Sequence, residues 1–333
     1  RGCDIEILVI SGFGDKALVV DLMRMGVEHY MDKPFSANEF QDTVAKICGQ
    51  IQMKRLAATR SRDLEGQVAS LATDLVRYRR GFDEMRVQME HAVRSYQSLM
   101  NLPQQVPGLE FESRIRPLHD LGGDYLGINT LKDGVEILLA DVAGHDMGAS
   151  YVTILLKSFF ENNKDVKADG ERFFHVLNSG LSELGADRMV SALHVRIDFG
   201  SGRLTVTTAA HPSPLLLKLG LGSASAVRCW GDPLGISPTV AFSKWEEGMI
   251  SGDRLFMFTD GLPSLGRFDP LLGRRQELSD QGLERLMSKH RQLPLREAVG
   301  MIWDDALAYA NFNPNDDLLL LGIEIAEERR VQD

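Results

Sequence analysis

The hydrophobic pattern is densest at Val135–Val142, an apolar run interrupted by Glu136 and by Asp141 next to its end. A run of this kind between turn residues predicts a strand buried on both faces. Comparable runs cover Tyr125–Thr130, Arg254–Thr259 and Leu318–Ile325, and each adjoins an acid: Asp124, Asp260 and the pair Asp316-Asp317. Further strands are predicted at Phe111–Pro117, Met189–Asp198, Arg203–Ala209, Leu215–Leu219, Ala226–Trp230 and Phe242–Gly248. Helices are predicted over Ala149–Asn162, Asp169–Leu184, Gly282–Lys289 and Leu295–Ala310. Strands and helices that come in blocks imply an α+β domain with segregated layers, over residues 103–333.

The first hundred residues are patterned differently. Strands at Glu6–Ile10 and Val27–Met31 alternate with amphipathic helices at Lys16–Met25 and Ala37–Cys48, which implies parallel strands of a doubly wound sheet over residues 1–49. In residues 50–102, Leu64, Val68, Leu71, Leu75, Tyr78, Phe82, Met85, Met89, Ala92, Tyr96 and Leu99 alternate at spacings of four and three. This is the seam of a left-handed coiled coil and predicts a homodimer. Leu102 to Gly108, with two prolines, ends the helix.

The acids give these elements a chemistry. In an antiparallel sheet the end of one strand lies beside the start of its neighbour, so Asp124, Asp141, Asp260 and Asp316-Asp317 can converge on one rim. Converging carboxylates cannot all stay ionised without cations, and an all-oxygen donor set selects a pair of hard ions.

Composition narrows the classes. Hydrophobic content of 44% and charged content of 25% are those of a globular protein. A net charge of -10 argues against nucleic acid as a partner and against an anionic membrane surface. No apolar run reaches the ~20 residues that span a bilayer. Cys3, Cys48 and Cys229 lie far apart, as expected of reduced thiols in a cytoplasm.

Gly-Gly-Asp-Tyr at 122–125, Asp-Val-Ala-Gly-His at 141–145, Ala-His-Pro at 210–212, Pro-Leu-Gly-Ile at 233–236, Thr-Asp-Gly at 259–261 and Asp-Asp at 316–317 follow in one order. Together they resemble the SpoIIE-type branch of the metal-dependent (PPM, type 2C) serine/threonine phosphatases. The resemblance implies a β-sandwich flanked by helices and a site holding two Mn²⁺ or Mg²⁺ ions. It assigns Asp141 as the bridging ligand with the Val142 carbonyl beside it, and Asp260 and Asp316, with the adjacent Asp317, to the second ion. Asp124 matches the acid that orders water around the ions. His145 lies near the catalytic histidine of the wider class and is the candidate proton donor to the leaving serine oxygen. The implied substrate is a phosphoserine or phosphothreonine protein, of which an anti-sigma-factor antagonist is an example. Gly127, Ser264 and Leu319 depart from the family pattern, His211 fits a loop-shaping role, and no arginine stands out as a phosphate clamp.

Residues 1–49 resemble the last two strand–helix units of a two-component receiver domain. Ser11 matches the hydroxyl that senses the phosphoryl group, Tyr30 the aromatic switch and Lys33-Pro34 the lysine of the acyl phosphate site. That implies an upstream histidine kinase. The absent phosphoacceptor half and the start at Arg1 imply a fragment of a longer protein. Two other functions compete. One is a phosphatase-like domain of weak activity that serves as a partner-binding module. The other is a diguanylate cyclase, whose Gly-Gly-Asp continues Glu-Phe where this chain has Tyr125-Leu126.

Overall fold

The computed structural model describes residues 5–12, 16–119, 121–144, 146–163, 166, 168–183, 185, 188–269 and 273–326. The chain divides into two compact units, up to Gln88 and from Met89 onward.

In the first unit, β1 (Leu8–Ser11) and β2 (His29–Asp32) form a parallel pair joined by α1 (Lys16–Arg24). Next comes α2 (Ala37–Leu99), a helix of 63 residues that runs on into the second unit. Its start is a capping box: the Ser36 amide donates to Glu39 Oε2 at 2.8 Å and the Glu39 amide to Ser36 Oγ at 3.2 Å. The boundary predicted between residues 49 and 50 is no break in the backbone, because neither Gly49 nor its neighbours interrupt the helical bonds. At ~1.5 Å per residue the helix is roughly 95 Å long.

The second unit continues with β3 (Leu109–Arg116), β4 (Asp124–Leu131), β5 (Gly134–Val142), α3 (Met147–Asn162) and α4 (Gly170–Glu183). Then follow β6 (Val190–Asp198), β7 (Arg203–Ala209), β8 (Leu215–Leu217), β9 (Ser225–Ala226), β10 (Lys244–Gly248) and β11 (Arg254–Phe258). The unit closes with β12 (Gly266–Asp269), β13 (Arg274–Glu277), α5 (Ser279–Lys289), α6 (Leu295–Tyr309) and β14 (Leu318–Ile325).

Two five-stranded antiparallel sheets carry this unit, ordered β10-β7-β6-β5-β4 and β3-β14-β11-β8-β9. Their inner faces share one core, in which Leu126, Ile137, Leu139 and Val195 meet Leu255, Met257, Leu319 and Leu321. The outer face of the first sheet packs Leu138 and Ala140 against Leu156 and Phe160 of α3 and Phe173 and Leu177 of α4. The outer face of the second packs Phe256 and Leu320 against Leu283 of α5 and Val299 and Ile302 of α6. The central strands are therefore buried on both faces, and that is why they read as continuous apolar runs. The α+β architecture is the expected one. The strand expected at Ala226–Trp230 shrinks to Ser225–Ala226, and β12–β13 forms a separate two-stranded hairpin that no apolar pattern announced.

Candidate metal centre

The acids come from both sheets rather than from one. In the first sheet Asp124 opens β4 directly opposite Asp141 near the end of β5. In the second, Phe258 of β11 pairs with Leu320 of β14, so Asp260 just beyond β11 lies beside Asp316 and Asp317 just before β14. Thr259 joins the two sheets. Its Oγ1 donates to Asp124 Oδ2 at 2.9 Å and accepts the Leu319 amide at 3.1 Å. Across the same gap Asp141 and Asp260 lie close enough for each to influence the other's ionisation.

The turns that bear the acids approach backbone to backbone. A Cβ on Gly123 would lie 2.5 Å from the Val142 carbonyl oxygen and 2.8 Å from that of Gly144. A Cβ on Gly261 would lie 2.1 Å from the Asp317 carbonyl oxygen. Only glycine fits either place. The Gly122 carbonyl accepts from Ser150 Oγ at 3.2 Å and from the Tyr96 hydroxyl at 3.3 Å, and Thr153 Oγ1 lies 3.0 Å from that hydroxyl.

Burial and mutual repulsion set the electrostatics. Asp124 is held well above the ordinary carboxylate range, first by desolvation and then by Asp141. Its Oδ1 is buried without a hydrogen-bond partner. Asp141 is pushed up to about 7 by desolvation, then by Asp260, Asp316 and Asp317. Asp260 is raised by desolvation and by Asp316. At neutral pH this group holds protons that a hard cation would displace, and the orphaned Asp124 oxygen is an acceptor left over for such a ligand shell. The residues present therefore fit divalent ions. Among the described residues, the tight trio of potential ligands is elsewhere, at Glu6, Glu28 and His29. There Lys54 Nζ, 2.7 Å from Glu6 and 3.6 Å from Glu28, already supplies the positive charge.

Asp317 is engaged differently from the other acids. Its Oδ1 accepts the Leu118 amide and its Oδ2 the Gly123 amide, each at 2.6 Å, and the residue is 4% exposed. Both oxygens accept from backbone amides, so this acid holds the Gly-Gly-Asp turn in place. Asp316, in contrast, is exposed, with Oδ1 accepting the Asp317 amide. The Val142 carbonyl lies beside that turn, whereas His145 falls outside the described residues. In the first unit the Tyr30 hydroxyl donates to Asp32, and the Lys33 amide donates to the Ser11 carbonyl at 2.8 Å. Ser11 thus ends β1, Tyr30 lies within β2 and Lys33 follows it directly.

Sequence reasoning missed Thr259, Ser150, Thr153 and Tyr96. Thr259 belongs to the Thr-Asp-Gly motif and could have been found there. Tyr96 was read as a seam residue, yet it is half-buried against Gly122 and Thr153. Arg188 was also unmarked. Its guanidinium donates to the Ala143 carbonyl at 2.9 Å and to Asp146 at 2.8 Å, stapling the loop after Asp141 to the N-cap of α3.

Comparison with known proteins agrees with this architecture. The chain is 21% identical over 241 residues to the phosphoserine phosphatase RsbU of Bacillus subtilis, covering 72% of this chain and 70% of that protein. The solved RsbU and RsbW domains of Rv1364c from Mycobacterium tuberculosis share the fold, with a TM-score of 0.59 at 23% identity over 68% of this chain. This chain spans 62% of that structure. The SiaA-PP2C domain of Pseudomonas aeruginosa superposes with a TM-score of 0.62 at 16% identity, over 73% of this chain and 97% of that one. The model of the Stage II sporulation protein E (SpoIIE) family matches residues 132–326. With that match spanning more than half its length, the chain belongs to the SpoIIE family and is a phosphoprotein phosphatase.

Proposed function

We propose that the chain hydrolyses phosphoserine or phosphothreonine on a protein substrate with the help of two divalent ions, Mn²⁺ or Mg²⁺. The observation that carries this reading is the meeting of Asp124 and Asp141 with Asp260 and Asp316 across the two sheets. Asp141 and Asp260, with Asp316 and the Val142 carbonyl, would hold the ions. Such ions supply positive charge that stabilises the attacking and leaving oxygens of an in-line displacement and acidifies water. The rest falls to the chain's own groups. Thr259 fixes the Asp124 carboxylate, Asp317 fixes the turn that carries it, and Ser150 and Tyr96 hold the Gly122 carbonyl. His145 is the proton donor to the serine oxygen as it leaves.

The substrate proposed is a small regulatory phosphoprotein such as an anti-sigma-factor antagonist. Regulation is proposed to enter through a receiver, itself addressed by a histidine kinase, and through dimerisation along α2. Support for the dimer is that Leu64, Val68, Leu71, Leu75, Tyr78, Phe82, Met85 and Met89 all stand exposed, 37% to 78% of each in solvent. An uncovered a/d seam of this length matches a second copy of itself. Among the described residues, no helix is long and apolar enough to cross a membrane.

The test is Mn²⁺-dependent hydrolysis of p-nitrophenyl phosphate and of a phosphoserine peptide, combined with calorimetric titration of Mn²⁺ into the metal-free protein. Turnover that disappears in Asp260→Asn together with tight ion binding supports the reading. Ion binding without turnover in the wild type would instead favour a partner-binding module built on the same fold.

A further inference from the structure

The β12–β13 hairpin has no part in either sheet core, yet it is fixed to the candidate metal centre from two directions. It leaves the Asp260 turn directly, since the Ser264 amide donates to the Asp260 carbonyl at 3.1 Å. Its base closes with Leu278 to Leu265 at 2.7 Å and Ser279 to Pro263 at 2.8 Å. The register pairs Phe268 with Arg275 and Asp269 with Arg274, so Arg274 and Arg275 point to opposite faces. Arg275 Nη2 donates to the Ser264 carbonyl at 3.1 Å. Asn315, with its amide oriented to turn Oδ1 toward the guanidinium, accepts from both Arg275 Nη atoms. One arginine thus ties together the loop following Asp260 and the residue preceding Asp316. On the other face Arg267 lies 5.1 Å over the Tyr309 ring.

These contacts seat the hairpin without neutralising it. A carbonyl, a carboxamide and an aromatic ring leave the charges of Arg275 and Arg267 in place, and Arg274 is exposed. Phe268 is 67% exposed. With Arg267, Arg274 and Arg275 against Asp269 and Glu277, the hairpin carries a net +1 in a chain whose net charge is -10. A cationic projection with an exposed aromatic ring, outside both sheet cores and held against two acid-bearing loops, has the chemistry to attract a negatively charged segment.

We propose that this hairpin is the docking arm for the protein substrate, receiving acidic side chains that flank the phosphorylated residue, with Arg274 on one face and Phe268 on the other as the contacts and Arg275 as the residue that positions the arm. The inference rests on the phosphatase reading given above and adds to it a substrate class: phosphoproteins with Asp or Glu near the phosphoserine. Dianionic phosphate and acidic neighbours would otherwise approach a protein of their own sign, and the arm supplies a local field of the opposite one.

The experiment uses the full chain with saturating Mn²⁺ and two phosphoserine peptides, identical except for Asp/Glu or Lys/Arg flanks. The value of kcat/KM for each is normalised to p-nitrophenyl phosphate turnover by the same preparation. The expected result is a preference of about tenfold or more for the acidic peptide, falling by about tenfold in Arg274→Glu, largely retained in Arg274→Lys, and weakened as salt rises. Equal kcat/KM for the two peptides, or a preference that Arg274→Glu leaves in place, overturns the docking arm while the phosphatase reading stands. Hydrolysis of neither peptide nor p-nitrophenyl phosphate overturns both. A hairpin variant that alters the oligomeric state in sedimentation but not the peptide preference would make the hairpin a self-association element, which also overturns the proposal.

Discussion

The two sheets deliver their acids in different states. Asp124 and Asp141, from the first sheet, are largely buried, and both are held above the normal carboxylate range mainly by desolvation. Asp260 and Asp316, from the second, are more exposed, although desolvation and Asp316 raise Asp260 as well. A cation arriving from solvent meets the second pair first and must displace protons from the first. The difference teaches that four acids of one residue type are not four equal ligands. Their elements decide which carry protons at rest and which attract the ion.

The largest effect expected from breaking this contrast is at Asp141. Asp141→Asn should lower Mn²⁺-dependent phosphatase activity by at least about a thousandfold. The same variant, metal-free at pH 7, should be more stable by roughly 1 kcal/mol, because it removes a buried charge. The sign follows from a folded pKa of about 7, raised above the unfolded value. The folded state holds a proton that the unfolded state has lost, so the wild-type penalty exists above that unfolded value and fades as pH falls toward 4. Thermal melts at pH 7 and pH 4 would check it, and equal gains at both would refute the cause.

Asp317 sharpens the contrast, since the same substitution should act in the opposite direction. Asp317→Asn replaces one acceptor with a donor facing a buried amide, of Leu118 or Gly123, and should destabilise the fold by about 2–3 kcal/mol. Urea melts measure this, and a neutral or stabilising outcome would return Asp317 to the ligand set.

His211 extends the same logic to a base. Both its ring nitrogens are buried without partners, and burial pushes it down to about 3. Below pH 6.5 the unfolded chain takes up a proton that the folded one refuses, so stability should fall by about 2 kcal/mol between pH 7 and pH 5 through this group. A His211→Phe variant should lose that part of the slope, read as the difference between the two proteins' melts. The smallest effect concerns the ions: Mn²⁺ affinity by calorimetry should weaken about tenfold from pH 8 to pH 6, with proton release on binding, as Asp141 protonates.

Most of the sandwich was legible because its central strands are covered on both sides. Val135–Val142 and Leu318–Ile325 carry their burial in their composition, and the acids at their ends stand out against it. What stayed hidden follows from the same principle. The β12–β13 hairpin is polar and packs no core, so it has no hydrophobic period to read. That Asp317 differs in role from Asp316 depends on two amides nearly 200 positions away in the chain. Tyr96 fits the heptad spacing as well as its neighbours do, and only its contact with Gly122 sets it apart. The domain boundary expected after residue 49 falls inside α2, where a change in tertiary surroundings leaves no mark on a helix whose own bonds continue.

The origin of the acids in two sheets has a mechanical corollary. With Asp141 on one leaf and Asp260 on the other, their separation works like the gap of a caliper whose jaws are set by the thickness of the sandwich interior. Leu139, Met257 and Leu321, all within the shared core, are spacers in that instrument. Exchanging one of them for a bulkier or slimmer side chain would change the reading of the caliper, so that inactive variants should arise at interior positions that look purely structural.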